Sequence, residues 1–467
     1  VLMIEFILNN KPIKTDQPTG SLLLDFVRYE KSLMGTKIGC REGDCGACTV
    51  LIGELIDSQL NYRQVVSCLT PLGNVHGKHI VTIEGLNMDS LSPVQQFMVD
   101  ESGSQCGFCT TGFVVSLTQF CLAKSTPSYK DAIASIDGNI CRCTGYKPIE
   151  RVAKHITESL SDKNQNETLD WLIAQQFIPS YFAQIPEMLN ALPPVNINPK
   201  NKTLVGGGTD LYVQKHAQLI DKNVDLISNT PNLCCIEIEN GVCTLGAGIT
   251  ATDLLESDSF QSAFPRLKDH LKLLASSPIR NMATIGGNFV NASPIGDFTA
   301  FFLALNAKIK LTKNGQNRSI YLKDFYKGYK DLDKSSDEIV STISFKLPTQ
   351  NSHYNFEKVS KRIHLDIASV NTAFQITISK NVITQAHLSA GGVGPIPMYL
   401  GETCDFLLNK ALLPETVQSA HEIIQTEINP ISDVRGSANY KRLLLRQLFC
   451  AHFITLFPNQ FTLDSFI

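Results

Sequence analysis

The sequence predicts a multidomain α+β protein, and three observations carry that prediction. A chain of 467 residues is too long for one ordinary core and fits about three domains. Its texture also changes along the length: short β-rich runs and turns fill residues 1–85, helical spacing starts at Ser92, and strand and helix signals mix again beyond a polar, aperiodic stretch at 161–168. Finally, eight of the fourteen cysteines fall in two compact sets before residue 144, so the chemistry is concentrated in the first third of the chain.

Composition narrows the possibilities. With 43% hydrophobic and 18% charged residues the chain can build ample core, and a formal charge of −3 without any basic run offers no field for nucleic acid. The opening VLMIEFILNN lacks a basic n-region and carries Glu5 inside its apolar run, which reads as a first strand and not as a secretory signal. No uncharged apolar stretch approaches the ~18 to 20 residues that span a bilayer. A cytoplasmic protein with no membrane contact is expected, in a compartment where thiols stay reduced.

Taken in order, residues 4–8 form a strand ending in the turn Asn9-Asn10-Lys11-Pro12, and 21–29 has helical spacing with Leu22, Leu23, Phe26 and Val27 on one side. Cys40, Cys45 and Cys48 follow as C-x4-C-x2-C, with Cys68 further on. That spacing lets a tight loop wrap three thiolates around a 2Fe-2S cluster while a neighbouring segment supplies the fourth. Gly39, Gly43, Gly46 and Ala47 allow the backbone to close around the sulfides and turn N–H groups toward them. Structural zinc is the competing reading, although zinc sites usually pair two C-x2-4-C arms. β-branched Val65 and Val66 predict a strand that returns Cys68 to the other three.

From Ser92 and Pro93 a helix begins, with Val94, Phe97 and Met98 at helical spacing. Cys106 and Cys109 precede a helix expected over 110–123, and Cys141 and Cys143 follow. A C-x2-C arm and a C-x-C arm at helix ends can hold a second 2Fe-2S cluster, the helix N-termini lending positive potential to an anionic site. On these residues alone zinc is a rival; directly after a plant-type cluster loop, the cluster reading becomes strong. Cys121, Cys234, Cys235, Cys243, Cys404 and Cys450 read as buried free thiols.

Residues 203–211 (TLVGGGTDL) read as a strand, a glycine turn and a helix start, where free N–H groups can bind diphosphate oxygens. On those residues alone a glycine turn without ligand is the better reading, and the missing G-x-G-x-x-G frame argues against a Rossmann site for NAD. Towards the end, a strand at 373–378 precedes a helix at 440–453, with Lys441, Arg442 and Arg446 expected on its exposed face. His353, His364, His387, His421 and His452 are spread too widely for a metal site.

CREGDCGAC, QCGFCTTGF and NICRCTGY, in that order, resemble the two-cluster domain of the molybdenum-containing hydroxylases, the xanthine dehydrogenase and aldehyde oxidase family. Residues 277–288 (SPIRNMATIGGN) and 292–297 (ASPIGD) resemble that family's second FAD-binding segment. The resemblance implies a plant-type ferredoxin-like β-grasp domain at 1–86, a helical 2Fe-2S bundle at 87–160, a linker at 161–179, a vanillyl-alcohol-oxidase-type FAD-binding α+β domain at 180–350 and a C-terminal α/β cap domain at 351–467. It implies that Cys40, Cys45, Cys48 and Cys68 hold the cluster nearer the flavin, and that Cys106, Cys109, Cys141 and Cys143 hold the one facing a molybdopterin, with Gln105 beside the pterin. Leu204, Val205, Gly206, Gly207, Gly208, Thr209, Asp210 and Leu211 would cradle the FAD pyrophosphate, and Thr284, Gly287, Asn288 and Asp297 would complete the contacts. Leu274, Ser341 and Lys358 fall near positions that touch the cofactor. Gly208 departs from the pattern, since relatives commonly carry a charged or amide residue there.

By the same resemblance this chain supplies no catalytic acid, base or nucleophile. It is expected to be the small subunit of a split enzyme, paired with a large molybdopterin-binding subunit in a heterotetramer or larger assembly. Electrons would run from the molybdopterin through both clusters to FAD and then to NAD, with hypoxanthine or xanthine oxidised to urate. The alternatives are a hydroxylase of aldehydes or N-heterocycles, and a stand-alone iron-sulfur flavoprotein.

Overall fold

Ile4, Phe6 and Leu8 alternate along the chain, which places them on one face of the strand Ile4–Leu8, where they are buried. In the computed structural model, which describes residues 3–193, 203–227, 230–362 and 365–466, that strand enters a five-stranded sheet. The order across the sheet is Lys11–Thr15, Ile4–Leu8, His79–Val81, Thr49–Ile56 and Gln59–Val66. Ile4–Leu8 and His79–Val81 run parallel and the other pairs antiparallel. Leu22, Leu23, Phe26 and Val27 are buried in the same core, on the short helix Leu23–Asp25 and the wider turn Phe26–Glu30. This is the expected β-grasp body.

The helical part starts where Ser92 closes a capping box with Gln95, stabilising Pro93–Asp100 by about 1 kcal/mol. Thr110–Leu122 is apolar around most of its circumference and is correspondingly buried, packing Phe113, Val114 and Leu117 with Ile149, Val152 and Ile156 of Lys147–Ser159. The polar stretch after residue 160 is tied down: Lys163 is buried and donates to the carbonyls of Cys121 and Ala123 at the C-terminal end of Thr110–Leu122.

The chain divides into two units. Val1–Asn229 with Ser276–Ala283 forms the first, and Thr230–Ala275 with Thr284–Ile467 the second. Within the first, the parallel pair Leu204–Val205 and Asp225–Leu226 and the helix Leu211–Leu219 place Val205, Tyr212, Leu219 and Leu226 in the ferredoxin-like core beside Leu22, Val66 and Cys68.

The second unit holds an antiparallel sheet ordered Gln316–Tyr321, Lys308–Lys313, Ile339–Lys346, Val242–Gly246 and Ile236–Glu239, with a core rich in phenylalanine from Ile285–Asn291 and Asp297–Leu303. Its C-terminal part is the sheet Ser352–Val359, Val370–Ser379, Val382–Gly391 and Met398–Tyr399, covered by helices that include Pro414–Glu427 and Ala438–Leu456. One expectation fails on that last helix. Lys441 is not on an exposed face but 1% exposed, because its ammonium reaches Asp433 at 2.7 Å and the Ile431 carbonyl at 3.0 Å. Cys234 is likewise exposed and Cys235 and Cys450 are half-buried, while Cys121, Cys243 and Cys404 are buried as expected. His364 lies outside the described residues, among which no helix is long and apolar enough to cross a membrane.

A buried polar cluster in the second unit gives a pH prediction. Asn355 accepts from Arg266 at 2.6 Å and from His270 at 3.2 Å, and its amide donates to His452 at 2.9 Å. Burial lowers His270 to about 4 and His452 to about 3 from an ordinary 6.5. Both are therefore neutral in the fold, whereas the unfolded chain takes up protons below 6.5. Stability is full above pH 6.5 and falls as pH drops toward 4. Melting temperature should decline over that window, and the decline should be shallower in His452→Gln.

Candidate metal and cofactor centres

The loop after Glu30 is shaped by residues that accept left-handed backbone: Arg41 at φ 58°, Gly43 at 80° and Gly46 at 68°. The Arg41 guanidinium grips Asp25 with two bonds of 2.6 and 3.1 Å, pinning the loop to the preceding helix. With the loop so held, the N–H groups of Glu42 and Cys45 donate to Cys40 Sγ at 3.3 and 3.4 Å, and the Cys40 N–H donates to Cys45 Sγ at 3.4 Å. Such donors favour sulfur that carries negative charge. Cys48 leads into Thr49–Ile56, and the strand Gln59–Val66 returns Cys68 to the loop, both thiols being buried.

The four thiols interact. Cys40 is held far below its usual range by bonding to Cys45 and Cys68, and Cys48 is lowered by its bond to Cys68. Cys45 and Cys68 are pushed up by the same contacts, Cys45 by Cys40 and Cys68 by Cys40 and Cys48. Loading a metal centre must expel the protons that Cys45 and Cys68 retain.

The second set sits near two helix N-termini. Cys109 is the N-cap residue of Thr110–Leu122, whose dipole favours negative charge there, and Cys141 and Cys143 lie in the loop that leads to Tyr146, the N-cap residue of Lys147–Ser159. Cys106 meets Cys143, and Cys109 meets Cys141. Burial pushes Cys109 up to about 12. Cys106 and Cys143 are exposed, as is Gln105, which does not cap the helix because Cys109 holds that position. Among the described residues no three or more His, Cys, Asp or Glu side chains converge as one ion would require. In the second set the thiols meet as the pairs Cys106–Cys143 and Cys109–Cys141, whereas in the first Cys40 meets both Cys45 and Cys68, and Cys68 also meets Cys48.

A direct backbone contact joins the two cysteine loops, which the sequence did not reveal. The Ile140 N–H donates to the Cys45 carbonyl at 3.0 Å, and the Asn139 amide donates to the Gly46 carbonyl at 3.2 Å while accepting from Ser116 at 2.8 Å. Gly46 has to be glycine: a Cβ would lie 2.3 Å from the Gly138 carbonyl oxygen. One hydrogen bond thus links Cys45 to the residue before Cys141.

In the first unit, the glycine turn follows Leu204–Val205 and leads through Thr209 and Asp210 into Leu211–Leu219. A Cβ on Gly207 would sit 1.7 Å from the Met282 carbonyl oxygen, and Gly208 has φ +78°. That left-handed geometry explains why glycine is accepted where a longer residue was expected. Gly207 and Gly208 are buried, with Gly206 and Thr209 partly exposed beside them; a glycine turn at a helix start is the kind of backbone that binds a diphosphate through main-chain N–H groups.

In the second unit, Thr284 caps Ile285–Asn291, accepting from the Gly287 N–H at 3.1 Å; Gly287 itself is exposed. The Asn288 side-chain oxygen Oδ1 accepts from the Thr299 N–H and hydroxyl at 3.2 and 3.0 Å. Asp297 and Lys358 come together: the Lys358 side chain is 2% exposed and bonds Asp297 at 2.8 Å and the Leu273 carbonyl at 2.7 Å. Asn371, which sequence reasoning missed, donates to the other Asp297 oxygen at 2.6 Å. An asparagine among the apolar residues of a central strand was the available signal. Leu274 is buried in the apolar core, and Ser341 is engaged by Thr312 at 2.8 Å and the Lys310 carbonyl at 3.2 Å. Replacing Lys358 with Met should cost roughly 3 kcal/mol, the low end for breaking a buried pair because Asn371 still serves Asp297; the shift in denaturation midpoint measures it.

Comparison with known proteins agrees with this layout. Four family models match consecutive stretches: a 2Fe-2S iron-sulfur cluster binding domain at 6–73, a [2Fe-2S] binding domain at 82–154, the FAD binding domain in molybdopterin dehydrogenase at 174–349, and the CO dehydrogenase flavoprotein C-terminal domain at 355–456. Xanthine dehydrogenase 1 of Arabidopsis thaliana is 27% identical over 94% of this chain, and xanthine dehydrogenase of Emericella nidulans 28% over 96%. The chain spans 38% of the length of each of these curated relatives. A chain of the carbon monoxide dehydrogenase from Hydrogenophaga pseudoflava, solved in a form lacking the Mo-pyranopterin moiety of the molybdenum cofactor, matches 54% of this chain and 88% of its own length, with a TM-score of 0.51 and 25% identity. Two 2Fe-2S domains, an FAD-binding domain and a flavoprotein C-terminal domain in this order show that the chain belongs to the molybdenum hydroxylase family, as its iron-sulfur and flavin-binding component.

Proposed function

We propose that the chain carries electrons from a molybdopterin on a large partner subunit to NAD, in an enzyme that hydroxylates a purine, hypoxanthine or xanthine, to urate. The overall change is balanced: substrate C–H and water give C–OH, and NAD takes up a hydride with release of one proton. The observation that carries this reading is the hydrogen bond from Ile140 to Cys45, which joins the two four-cysteine sets.

In this reading Cys40, Cys45, Cys48 and Cys68 would hold the first cluster, and Cys106, Cys109, Cys141 and Cys143 would hold the second. Exposure of Cys106, Cys143 and Gln105 supports the second set as the one facing the partner's pterin, to which Gln105 would donate or accept a hydrogen bond. Residues 204–211 would bind FAD, Thr284, Gly287, Asn288 and Asp297 would also contact it, and the Lys358–Asp297 pair keeps Asp297 in place. When bound, the clusters supply one-electron carriage, and FAD collects two electrons for release as hydride. Similarity over nearly the whole chain to two xanthine dehydrogenases favours a purine over an aldehyde or another N-heterocycle.

Copurification tests the proposal. A large molybdenum-bearing partner should accompany the chain, and the complex should reduce NAD with xanthine. A chain that isolates without partner yet turns over NADH with artificial acceptors would instead be a stand-alone electron carrier, and a complex active only on aldehydes would transfer the reading to that substrate class.

A further inference from the structure

Residues Ser276–Ala283 belong to the stretch matched by the FAD-domain model, yet they fold into the first unit. There the short helix Ser277–Arg280 meets both cysteine loops. Gly43, inside the first loop, lies against Ile279, whose Cδ1 would be 2.8 Å from a Cβ at that position. Gly138, three residues before Cys141, lies against Pro278, with 2.6 Å left for a Cβ. Asn281 donates to the Gln64 carbonyl at 2.7 Å, on the strand that delivers Cys68.

The strongest tie is ionic. Arg280 bonds Asp137 at 2.6 Å with side chains only 6% and 3% exposed, and it also donates to Ser277 Oγ at 2.8 Å. The second Asp137 oxygen accepts the Ser277 N–H at 2.7 Å, and Ser277 Oγ donates to the Ala134 carbonyl at 3.1 Å. A buried ion pair is not favourable merely by being present, since desolvation offsets much of its attraction. Here both carboxylate oxygens are bonded from one short helix, so the geometry of 137–141 is specified from outside its own domain.

We propose that Arg280 and Asp137 are positioning residues that set how the 137–141 segment lies against the first cysteine loop, and with it the coupling between the two clusters through Ile140 and Cys45. The assignment rests on the two-cluster reading above. Asp137 precedes Ile140 by three residues, so displacing its carboxylate moves the donor of the backbone bond to the Cys45 carbonyl.

The test uses the full chain, or its complex, with Arg280→Lys and Arg280→Met. Lysine keeps the charge but makes one contact where the guanidinium makes a fork; methionine keeps the length and removes the charge. With both clusters reduced, low-temperature electron paramagnetic resonance reads the magnetic splitting each centre imposes on the other. The expected result is full iron and flavin content in both variants, a splitting reduced in the lysine variant and reduced further in the methionine variant, and a shifted midpoint potential of the second cluster. If the methionine variant does not fold, the lysine variant decides. A folded variant with wild-type iron, splitting and potential overturns the inference while leaving the relay reading intact. Absence of two distinct centres in the wild-type protein overturns the relay reading, and this inference with it.

Discussion

Replacing Cys143 with serine is expected to abolish one of two distinct paramagnetic signals, lower iron from about four to about two per chain, and leave flavin content unchanged. Cys143 is exposed and contributes to no apolar core, so its loss removes a ligand without removing packing. Cys48 offers the contrast. It is 2% exposed and shares a core with Val205, which precedes the glycine turn, and with Met282, which lies within the 276–283 segment. Cys48→Ser should therefore cost stability as well as the first cluster, and extend its damage to flavin retention. Loss of FAD from Cys143→Ser, measured by flavin released on denaturation, would show that the second cysteine set and the flavin site are not separable.

Replacing Gly207 with alanine should lower retained FAD by about tenfold or more while the iron content stays near wild type. The added methyl would lie 1.7 Å from the Met282 carbonyl oxygen and 2.5 Å from its carbon. Those are backbone atoms, so no side chain can swing away, and one of the two segments must move. Overpacking of this kind costs about 1–3 kcal/mol, and each 1.4 kcal/mol taken from cofactor affinity is about a factor of ten. Gly208→Asn should be milder, because asparagine tolerates left-handed backbone and its Cβ would face the Tyr212 ring at 2.9 Å. Equal flavin content in wild type and Gly207→Ala would exclude this turn from the cofactor site.

Much of this arrangement was legible because short-range rules govern it. The C-x4-C-x2-C spacing, the Ser92–Pro93 helix start and the apolar run of Thr110–Leu122 each depend on neighbours within a few residues. Cys68 was harder, since its return depends on strand pairing: Thr49 pairs with Val66, which carries the cysteine back. Lys441 was misread because a helical lysine beside two arginines looks solvated; only the fold brings Asp433 within 2.7 Å. Asp137, Arg280 and Asn371 could not be assigned from sequence for the same reason. Their partners lie 143 residues away for the ion pair and 74 for Asn371, and no local pattern marks a polar residue that will be buried against a distant one.

The most direct measurement is the number of reducing equivalents the purified chain accepts in an anaerobic titration followed by absorbance and paramagnetic resonance. Two 2Fe-2S centres taking one electron each and one FAD taking two predict about four equivalents per chain, with two distinct iron-sulfur signals. Uptake of about two equivalents with a single iron-sulfur signal, or with zinc in place of the second cluster, would contradict the assignment of this chain as a two-cluster flavin relay.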